Sequence, residues 1–380
     1  MTASTPSSDS RAQRATSLTG TALSSDSFDQ LLLSQTPLID VRAESEFAAG
    51  HIPGSINLPI LNDEERSLVG TCYKQRGQDA AIELGNELVN GDSRTQRIAA
   101  WQHCIDAHDG ALITCFRGGL RSKTAQAWLA DAGVNIVRVD GGFKALRTHL
   151  LNATQRIAAN KSLIIVGGKT GSGKTHLINA LTESVDLEGL ANHRGSAFGR
   201  RASLQPAQVV FENRLGIALL QREQNPSPTL FLEDESRAIG SISLPLELHR
   251  AMTQAPLVSI EESLDFRVET ILNDYIVGNL HDFINDDQTT AAQRFEDSLL
   301  GSLDRIRKRL GNERHAAVSR IMHSAISHDN DLDQHREWIT LLLTDYYDPM
   351  YAYQMEKKAS RVVFRGNSDA FLSWAKEIDN

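Results

Sequence analysis

The segment 168–175 has the sequence Gly-Lys-Thr-Gly-Ser-Gly-Lys-Thr and limits the possible folds of this chain more than any other segment. It matches the P-loop pattern G-x-x-x-x-G-K-[ST], in which glycines let backbone N–H groups turn toward phosphate oxygens. An apolar strand pattern at 163–166 precedes it and a helical pattern at 176–181 follows it, as a P-loop requires. Lys174 supplies a point charge to the terminal phosphate, and the helix N-terminus adds its positive end. The predicted diphosphate-binding residues are Gly168, Gly171, Ser172, Gly173, Lys174 and Thr175.

A candidate second acid follows another apolar strand pattern. The stretch 230–235 has the sequence Leu-Phe-Leu-Glu-Asp-Glu. We select Asp234 as the metal-facing carboxylate, which together with the Thr175 hydroxyl can hold Mg²⁺. These motifs indicate a bound polyphosphate or diphosphate, but they do not identify the ligand as ATP.

Cys115 begins a second distinctive loop, with the sequence Cys-Phe-Arg-Gly-Gly-Leu-Arg-Ser. A strand pattern at 111–114 runs directly into the cysteine, and 122–132 has helical spacing. A thiol at a helix N-terminus beside Arg117 and Arg121 is favoured as the nucleophilic thiolate. An anion docked in such a loop meets that nucleophile at its base. We therefore predict Cys115, Arg117 and Arg121 as catalytic residues.

The order of strand and helix patterns predicts the domain organisation. Short apolar strands alternate with helices in both halves, which favours parallel α/β sheets. We predict a flexible tail over 1–24, a domain carrying the cysteine loop over 25–150, and a P-loop domain over 151–380. The stretch 265–353 has a mainly helical pattern, so the second domain is expected to carry a helical insertion and C-terminal extension.

Composition bounds the class of protein. Three cysteines in 380 residues do not make a disulfide framework, and they fit a reducing compartment. No apolar run approaches the roughly 20 residues that span a bilayer, and the N-terminus lacks the apolar core of a signal peptide. The net charge of -9 gives no overall basic footprint, although a local basic face can still hold nucleic-acid phosphates. We expect a soluble, cytoplasmic protein without a membrane partner.

Two stretches of the first half resemble a known signature. Asp-Val-Arg at 40–42 and Gly-His-Ile-Pro-Gly-Ser-Ile-Asn-Leu-Pro at 50–59 closely resemble the rhodanese family. The resemblance covers roughly 25–150, identifies Cys115 as the active-site cysteine, and implies structural roles for Asp40 and Arg42. Arg121 lies six positions after Cys115, which is the C-x5-R spacing of phosphatases built on this fold. A bidentate Arg121 favours a tetrahedral, phosphate-like donor over thiosulfate.

A rhodanese domain in front of a P-loop domain resembles the bacterial tRNA 2-selenouridine synthase family. The resemblance covers nearly the whole chain except the N-terminal tail. The further stretches similar to that family are His-Arg-Gly-Ser-Ala-Phe-Gly at 193–199, Gln208 with Phe-Glu-Asn at 211–213, Glu-Asp-Glu-Ser-Arg at 233–237 and Tyr-Asp-Pro-Met-Tyr at 347–351.

This resemblance implies a two-step reaction on the wobble 2-thiouridine of certain tRNAs. Geranyl diphosphate first alkylates the sulfur, and selenium from selenophosphate then replaces the geranylated sulfur. The P-loop would hold the diphosphate while its C–O bond ionises. Cys115 would either bind selenophosphate or carry selenium as a perselenide, and both roles stay open. The implied partners are tRNA and an enzyme that supplies selenophosphate.

Such a reaction needs an apolar pocket for the geranyl chain and cations for the tRNA backbone. The candidate substrate or tRNA contacts are Arg194, Phe198, Arg200, Arg237 and Tyr351. Two basic runs, 305–309 and 357–365, either contact phosphates or are solvated helix faces.

Two other functions fit the motifs. A rhodanese-fused P-loop kinase or NTPase predicts ATP turnover that depends on Lys174 and needs no tRNA. A redox-sensing module predicts nucleotide binding without product formation, with Cys115 as the oxidant sensor. Only the family-like stretches around Arg194 and Glu233 argue against both.

Overall fold

The computed structural model describes residues 22–328 and 330–378. These residues form two compact units, one of residues up to 153 together with 212–220, and one of 154–211 together with the residues from 221 onward. No helix within the described ranges is long and apolar enough to cross a membrane. The predicted flexible tail at 1–24 lies mostly outside the described residues. Its last part needs correction, because Ala22 and Leu23 form a strand.

The sheet of the first unit is parallel throughout. Its strands are β1 (Ala22–Leu23), β2 (Leu38–Asp40), β3 (Ile56–Asn57), β4 (Leu112–Thr114) and β5 (Val137–Val139). Their spatial order is β1-β5-β4-β2-β3. The predicted strands at 36–41, 111–114 and 135–139 are confirmed. The two-residue strands β1 and β3 were not predicted, since two residues are too short to show an alternating pattern.

Helices cover this first sheet. They are α1 (Phe28–Leu33), α2 (Glu44–Ala49), α3 (Asp63–Arg76), α4 (Gln78–Leu88), α5 (Gly91–Ala107), α6 (Leu120–Asp131) and α7 (Gly142–Asn160). Ile39 and Ile113 on the sheet and Trp101, Trp128 and Leu129 on the helices are buried in one cluster. This core fixes the carboxyl end of β4, from which Cys115 projects.

The second unit contains a second parallel sheet. The strands of the second unit are β6 (Ser162–Gly168), β7 (Ser184–Val185), β8 (Thr229–Glu233), β9 (Ala238–Ile239), β10 (Ile242–Ser243), β11 (Leu257–Ile260) and β12 (Val362–Gly366). The parallel sheet has the order β12-β11-β6-β8-β7, and β9 and β10 form a separate antiparallel pair. β6 is therefore central, and its carboxyl end at Gly168 opens the P-loop. The α/β class with parallel sheets is confirmed.

The rest of the second unit is helical. Its helices are α8 (Lys174–Ala180), α9 (Leu187–Leu190), α10 (Gln208–Glu223), α11 (Leu246–Gln254), α12 (Leu264–Ile271), α13 (Gly278–Asp286), α14 (Ala291–Leu310), α15 (Asn312–Ser327), α16 (Leu332–Leu342), α17 (Asp348–Lys358) and α18 (Ser368–Ile378). Six-residue and five-residue π-helical turns, Leu272–Val277 and Leu343–Tyr347, join α12 to α13 and α16 to α17. The predicted helical stretch at 265–353 is confirmed.

Residues 212–220, in the middle of α10, belong to the first unit. The boundary near residue 150 that the sequence suggested did not predict this. Gly216 explains how α10 approaches α7. A Cβ atom at Gly216 would lie only 2.8 Å from the Cβ of Leu150. A helix–helix contact this close needs a residue without a side chain.

Candidate active sites

Cys115 lies at the base of a loop between β4 and α6, as predicted. Its side chain is buried, and its Sγ lies 3.2 Å from the Ser122 hydroxyl in the first turns of α6. The amide of Phe143 donates to the Cys115 carbonyl at 2.9 Å. Gly142, at φ 61°, makes this close approach possible, because a Cβ there would lie 2.2 Å from the same carbonyl oxygen. The turn at Gly142 therefore shapes the cysteine loop.

The two arginines of the cysteine loop do not converge on one anion site. The Arg121 guanidinium forks onto both carboxylate oxygens of Glu46, at 2.5 and 3.2 Å. Burial alone raises the pKa of Glu46, but the hydrogen bonds and charge of Arg121 hold it below its usual value. Arg117 is exposed and lines an open cavity of about 470 Å³ with Lys144 and His149. The Arg121 guanidinium, which was expected to bind an oxyanion, thus binds the Glu46 carboxylate in this structure.

The rhodanese-like acid and base are structural, as their resemblance implied. Asp40 and Arg42 are 1% and 2% exposed, and the guanidinium donates to both carboxylate oxygens at 2.7–3.0 Å. Arg42 also donates to the Gly50 carbonyl at 2.8 Å and lies 4.1 Å from the centre of the Phe143 ring. A buried, fully paired arginine holds the loops around the cysteine without facing a ligand.

The P-loop has the predicted strand–loop–helix form. Gly171 and Gly173 have φ values of 83° and 73°, a region that favours glycine. Lys174 begins α8, and its Nζ bends back to donate to the Gly168 carbonyl at 3.1 Å. The ammonium group is therefore held over the curled loop, where a bound diphosphate would meet it.

A buried ion pair braces this loop, and sequence reasoning missed it. Arg267 is 2% exposed; its Nε donates to the Thr170 carbonyl at 3.0 Å, and its two Nη atoms donate to Asp348 at 3.0 and 2.7 Å. Lys169 also donates to Asp348, at 3.2 Å. Asp348 belongs to the family-like stretch 347–351, but nothing in the local sequence marks Arg267.

Thr175 and Asp234 have different hydrogen-bond partners in this structure. The Thr175 hydroxyl donates to Glu188 at 3.1 Å, whereas Asp234 accepts from the Lys358 ammonium at 2.8 and 2.6 Å. Magnesium binding by Thr175 and Asp234 stays a prediction. Across residues 22–328 and 330–378, no group of three or more His, Cys, Asp or Glu side chains has an arrangement that could hold a metal ion.

Two further carboxyl groups lie beside Glu188. The amide of Glu188 donates to Glu233 at 3.1 Å, and the other carboxyl oxygen of Glu233 is buried without a partner among the described residues. Burial, followed by the charges of Glu188 and Asp186, raises the pKa of Glu233 to about 8. Burial and Glu188 also raise the pKa of Glu235 well above its usual range. Two carboxyl groups with raised pKa values thus lie near the phosphate loop.

The P-loop opens on a cavity of about 620 Å³ in the second unit. Its lining combines the phosphate loop, carboxyl groups, cations and aromatic or aliphatic side chains. Besides the loop, the lining includes Glu188, Arg194, Asp234, Glu235, Ile271, Tyr275, Arg305, Ile306, Lys308, Arg309, Tyr347, Met350 and Tyr351. The cavity can accept a ligand with both an anionic and an apolar part.

Comparisons with known proteins agree with this arrangement. The model of the rhodanese-like domain matches residues 24–149, and that of the tRNA 2-selenouridine synthase AAA domain matches residues 161–380. The chain belongs to the tRNA 2-selenouridine synthase family. It is 48% identical to the tRNA 2-selenouridine synthase of Pseudomonas syringae pv. syringae, over 93% of this chain and 98% of that protein. For the synthase of Azotobacter vinelandii the identity is 49%, over 92% and 96% of the two chains.

Within this synthase-family chain, the predicted contact residues divide into two sets. Arg194 and Tyr351 line the cavity. Phe198 is buried in the helical core and stacks on Trp338 at 5.8 Å between ring centres, and it lines a small crevice beside the cavity instead of the cavity itself. Arg200 and Arg237 are exposed and lie outside the lining of the cavity.

The two basic runs also differ from each other. Arg305, Lys308 and Arg309 of α14 line the cavity. Burial and the nearby cations, first Arg200 and then Arg305, lower the pKa of His193 to about 4, which shows that the surroundings are strongly positive. The basic residues of the run at 357–365 instead interact with other groups of the second unit. Its members bond to Asp234, the Met252 and Ala255 carbonyls and Glu261, or lie over the Tyr353 ring.

The raised pKa of Glu233 predicts a pH dependence of stability. Between the usual carboxyl value of 4.5 and about 8, the folded state keeps a proton that the unfolded chain has released. Stability should therefore fall as pH rises through this window, by about 1.4 kcal/mol per pH unit for one such proton. Glu233→Gln should flatten this slope and be more stable than the wild type at pH 8, as measured by thermal unfolding from pH 5 to 8. The exposed substitution Glu356→Gln should keep the wild-type slope, and equal slopes for all three proteins would refute a buried neutral Glu233.

Proposed function

We propose that this protein converts the wobble 2-thiouridine of tRNA into 2-selenouridine through S-geranyl-2-thiouridine. Geranyl diphosphate is the first co-substrate and selenophosphate the second. The observation that carries the proposal is the 620 Å³ cavity, in which a phosphate loop faces aromatic and aliphatic side chains. A nucleoside triphosphate needs apolar contacts only around its base. A prenyl diphosphate needs an apolar wall directly beside its phosphates. The names of the relatives support tRNA selenouridine modification.

The first step takes place at the P-loop. The sulfur of thiouridine attacks the first carbon of the geranyl group, the C–O bond breaks, and the uracil ring loses the proton on N3. Lys174 and the loop amides stabilise the charge that develops on the leaving diphosphate. The Thr175 hydroxyl and the Glu188 carboxyl are the donors that fit Mg²⁺, the cation that the P-loop motif implies and that would neutralise diphosphate charge.

The second step takes place at the cysteine loop. An alkylated sulfur is a better leaving group than a thiocarbonyl, so the selenium of selenophosphate can attack carbon 2 of the ring and expel geranylthiol. Water then takes the phosphoryl group, which releases phosphate and leaves selenium on carbon 2. Cys115 either binds selenophosphate or carries selenium as a perselenide, a route that requires a two-electron oxidant as a further co-reactant. The Arg121–Glu46 pair positions the loop. An enzyme that makes selenophosphate is the expected partner, and a tRNA substrate places the reaction in the cytoplasm.

Positive groups at the cavity supply the expected tRNA contacts. Arg305, Lys308 and Arg309 lie on one helix and face the cavity that would receive the thiolated base. Cations at this position would neutralise backbone phosphates, so tRNA binding should weaken as salt concentration rises.

Incubation of the full chain with thiolated tRNA tests the proposal. Geranyl diphosphate alone should yield S-geranyl-2-thiouridine, and later addition of selenophosphate should yield 2-selenouridine, both detected by mass spectrometry of the nucleosides. The same tRNA without sulfur should give neither product. ATP hydrolysis that is indifferent to tRNA, with no geranylated nucleoside, would favour the kinase or NTPase function. Nucleotide binding without any product would favour the redox-sensing module.

A further inference from the structure

Two π-helical turns shape one wall of the P-loop cavity. The turns Leu272–Val277 and Leu343–Tyr347 each interrupt an otherwise continuous helix. Single π-turns are rare and often lie at functional sites, because the extra residue redirects a side chain. Here each turn carries a tyrosine, Tyr275 or Tyr347, that lines the cavity. The irregular turns thus direct two aromatic rings toward the ligand space.

An apolar crevice adjoins the cavity at these rings. Its volume is about 20 Å³, enough for about one water-sized group, and its walls include Leu343, Ile339 and Trp338. Thr170, Ile271 and Tyr347 line both the crevice and the cavity, as do Ser196 and Tyr275. The crevice therefore shares five lining residues with the cavity and extends into the helical core.

Tyr347 lies on the wall that the cavity and the crevice share. Its hydroxyl is buried and has no hydrogen-bond partner among the described residues. Buried polar groups are rarely left unpaired, and each such group calls for an explanation. Its ring packs edge-on to Tyr346, with 4.9 Å between the ring centres.

We propose that the crevice is the closed end of the prenyl pocket, and that Tyr347 and Leu343 set the longest chain the enzyme accepts. This rests on the proposed function. With the diphosphate held at the P-loop, the chain must avoid the carboxyl groups and arginines. The apolar side chains of Ile271, Ile306 and Met350 offer it a route toward Tyr347. A geranyl chain ends against the ring, whereas a farnesyl chain, five carbons longer, would have to overpack the crevice.

Competition between geranyl and farnesyl diphosphate on thiolated tRNA tests this inference. The wild type should prefer geranyl diphosphate. Tyr347→Ala, which joins the crevice to the cavity, should raise the farnesyl-to-geranyl ratio of kcat/KM by about 10-fold or more. Leu343→Ala enlarges the crevice from its far side and should shift the ratio in the same direction. Tyr347→Phe keeps the ring and should keep the wild-type ratio.

The matched control is Tyr353→Ala on the same helix, α17. Tyr353 is exposed and lies outside the lining of the cavity, so the ratio should not change. Thermal unfolding checks that each variant is folded, and Leu343→Ala decides the question if Tyr347→Ala is not. A wild type that transfers no prenyl group overturns the proposed function and this inference with it. A wild type that geranylates, with folded alanine variants that keep its ratio, overturns the chain stop alone.

Discussion

Lys174→Ala is expected to lower kcat/KM for S-geranylation of thiolated tRNA by about 100- to 1000-fold, the range for removing one donor that stabilises a developing anion. The Lys174 ammonium lies 3.1 Å from the Gly168 carbonyl, above the curled loop. A diphosphate leaving group gains negative charge as its C–O bond breaks, so this cation stabilises the transition state more than the bound substrate. The loss should therefore appear mainly in kcat, measured with saturating geranyl diphosphate and quantified by nucleoside mass spectrometry.

The same variant separates the two steps. Supplied with tRNA that is already S-geranylated, Lys174→Ala should still form 2-selenouridine at the wild-type rate, because the second step does not use the P-loop. Lys74→Ala replaces an exposed lysine on α3 and should leave both rates unchanged. If Lys174→Ala geranylates tRNA as fast as the wild type does, the P-loop is not the diphosphate site. If it loses both steps equally, one site performs both.

The cysteine loop and the P-loop were predictable because each is encoded by adjacent residues. The P-loop strand was predicted at 163–166 and observed as Ser162–Gly168, and the following helix at 176–181 and observed as Lys174–Ala180. Glycines in the left-handed region and an apolar run before them are local signals, so they can be recognised without knowledge of the tertiary fold. The cysteine loop was found for the same reason.

The partners of the acids that follow β8 could not be predicted from the sequence. The strand ends at Glu233, so the alternation of side chains along a strand does not fix the directions of Asp234 and Glu235. In the structure Asp234 accepts from Lys358, while Glu233 and Glu235 interact with Glu188. Both Lys358 and Glu188 are brought to these acids by the tertiary fold.

Long-range partners could not be predicted at all. Arg267 and Asp348 are 81 positions apart, and only the packing of α12 against the loop brings them together. Phe198 lies in a family-like stretch, but the sequence did not show that its ring would pack in the helical core and line the crevice there. Arg121 likewise has the predicted spacing from Cys115, but its partner, Glu46, comes from a separate helix 75 positions away.

Cys115→Ser is expected to abolish selenium entry, with at least about a 1000-fold loss, while leaving geranylation intact. The Sγ of Cys115 sits at the base of its loop, 3.2 Å from the Ser122 hydroxyl and at the start of α6. A serine hydroxyl fits the same space but is neither a thiolate nor a carrier of selenium at neutral pH. Incubation with both co-substrates should therefore accumulate S-geranyl-2-thiouridine, which mass spectrometry distinguishes from the selenouridine of the wild type.

Cys72→Ser is the matched control, because Cys72 is also a buried free thiol of the first unit but lies within α3, away from any glycine loop. It should form 2-selenouridine like the wild type. Loss of selenium entry in both variants would show that the substitutions act through folding, which thermal unfolding can verify. Wild-type selenouridine from Cys115→Ser would mean that selenophosphate reacts without a protein thiol, and that the loop with its Arg121–Glu46 pair serves another purpose. Geranylation lost together with selenium entry would instead mean that Cys115 also acts in the first step, contrary to the assignment of one anion site to each reaction.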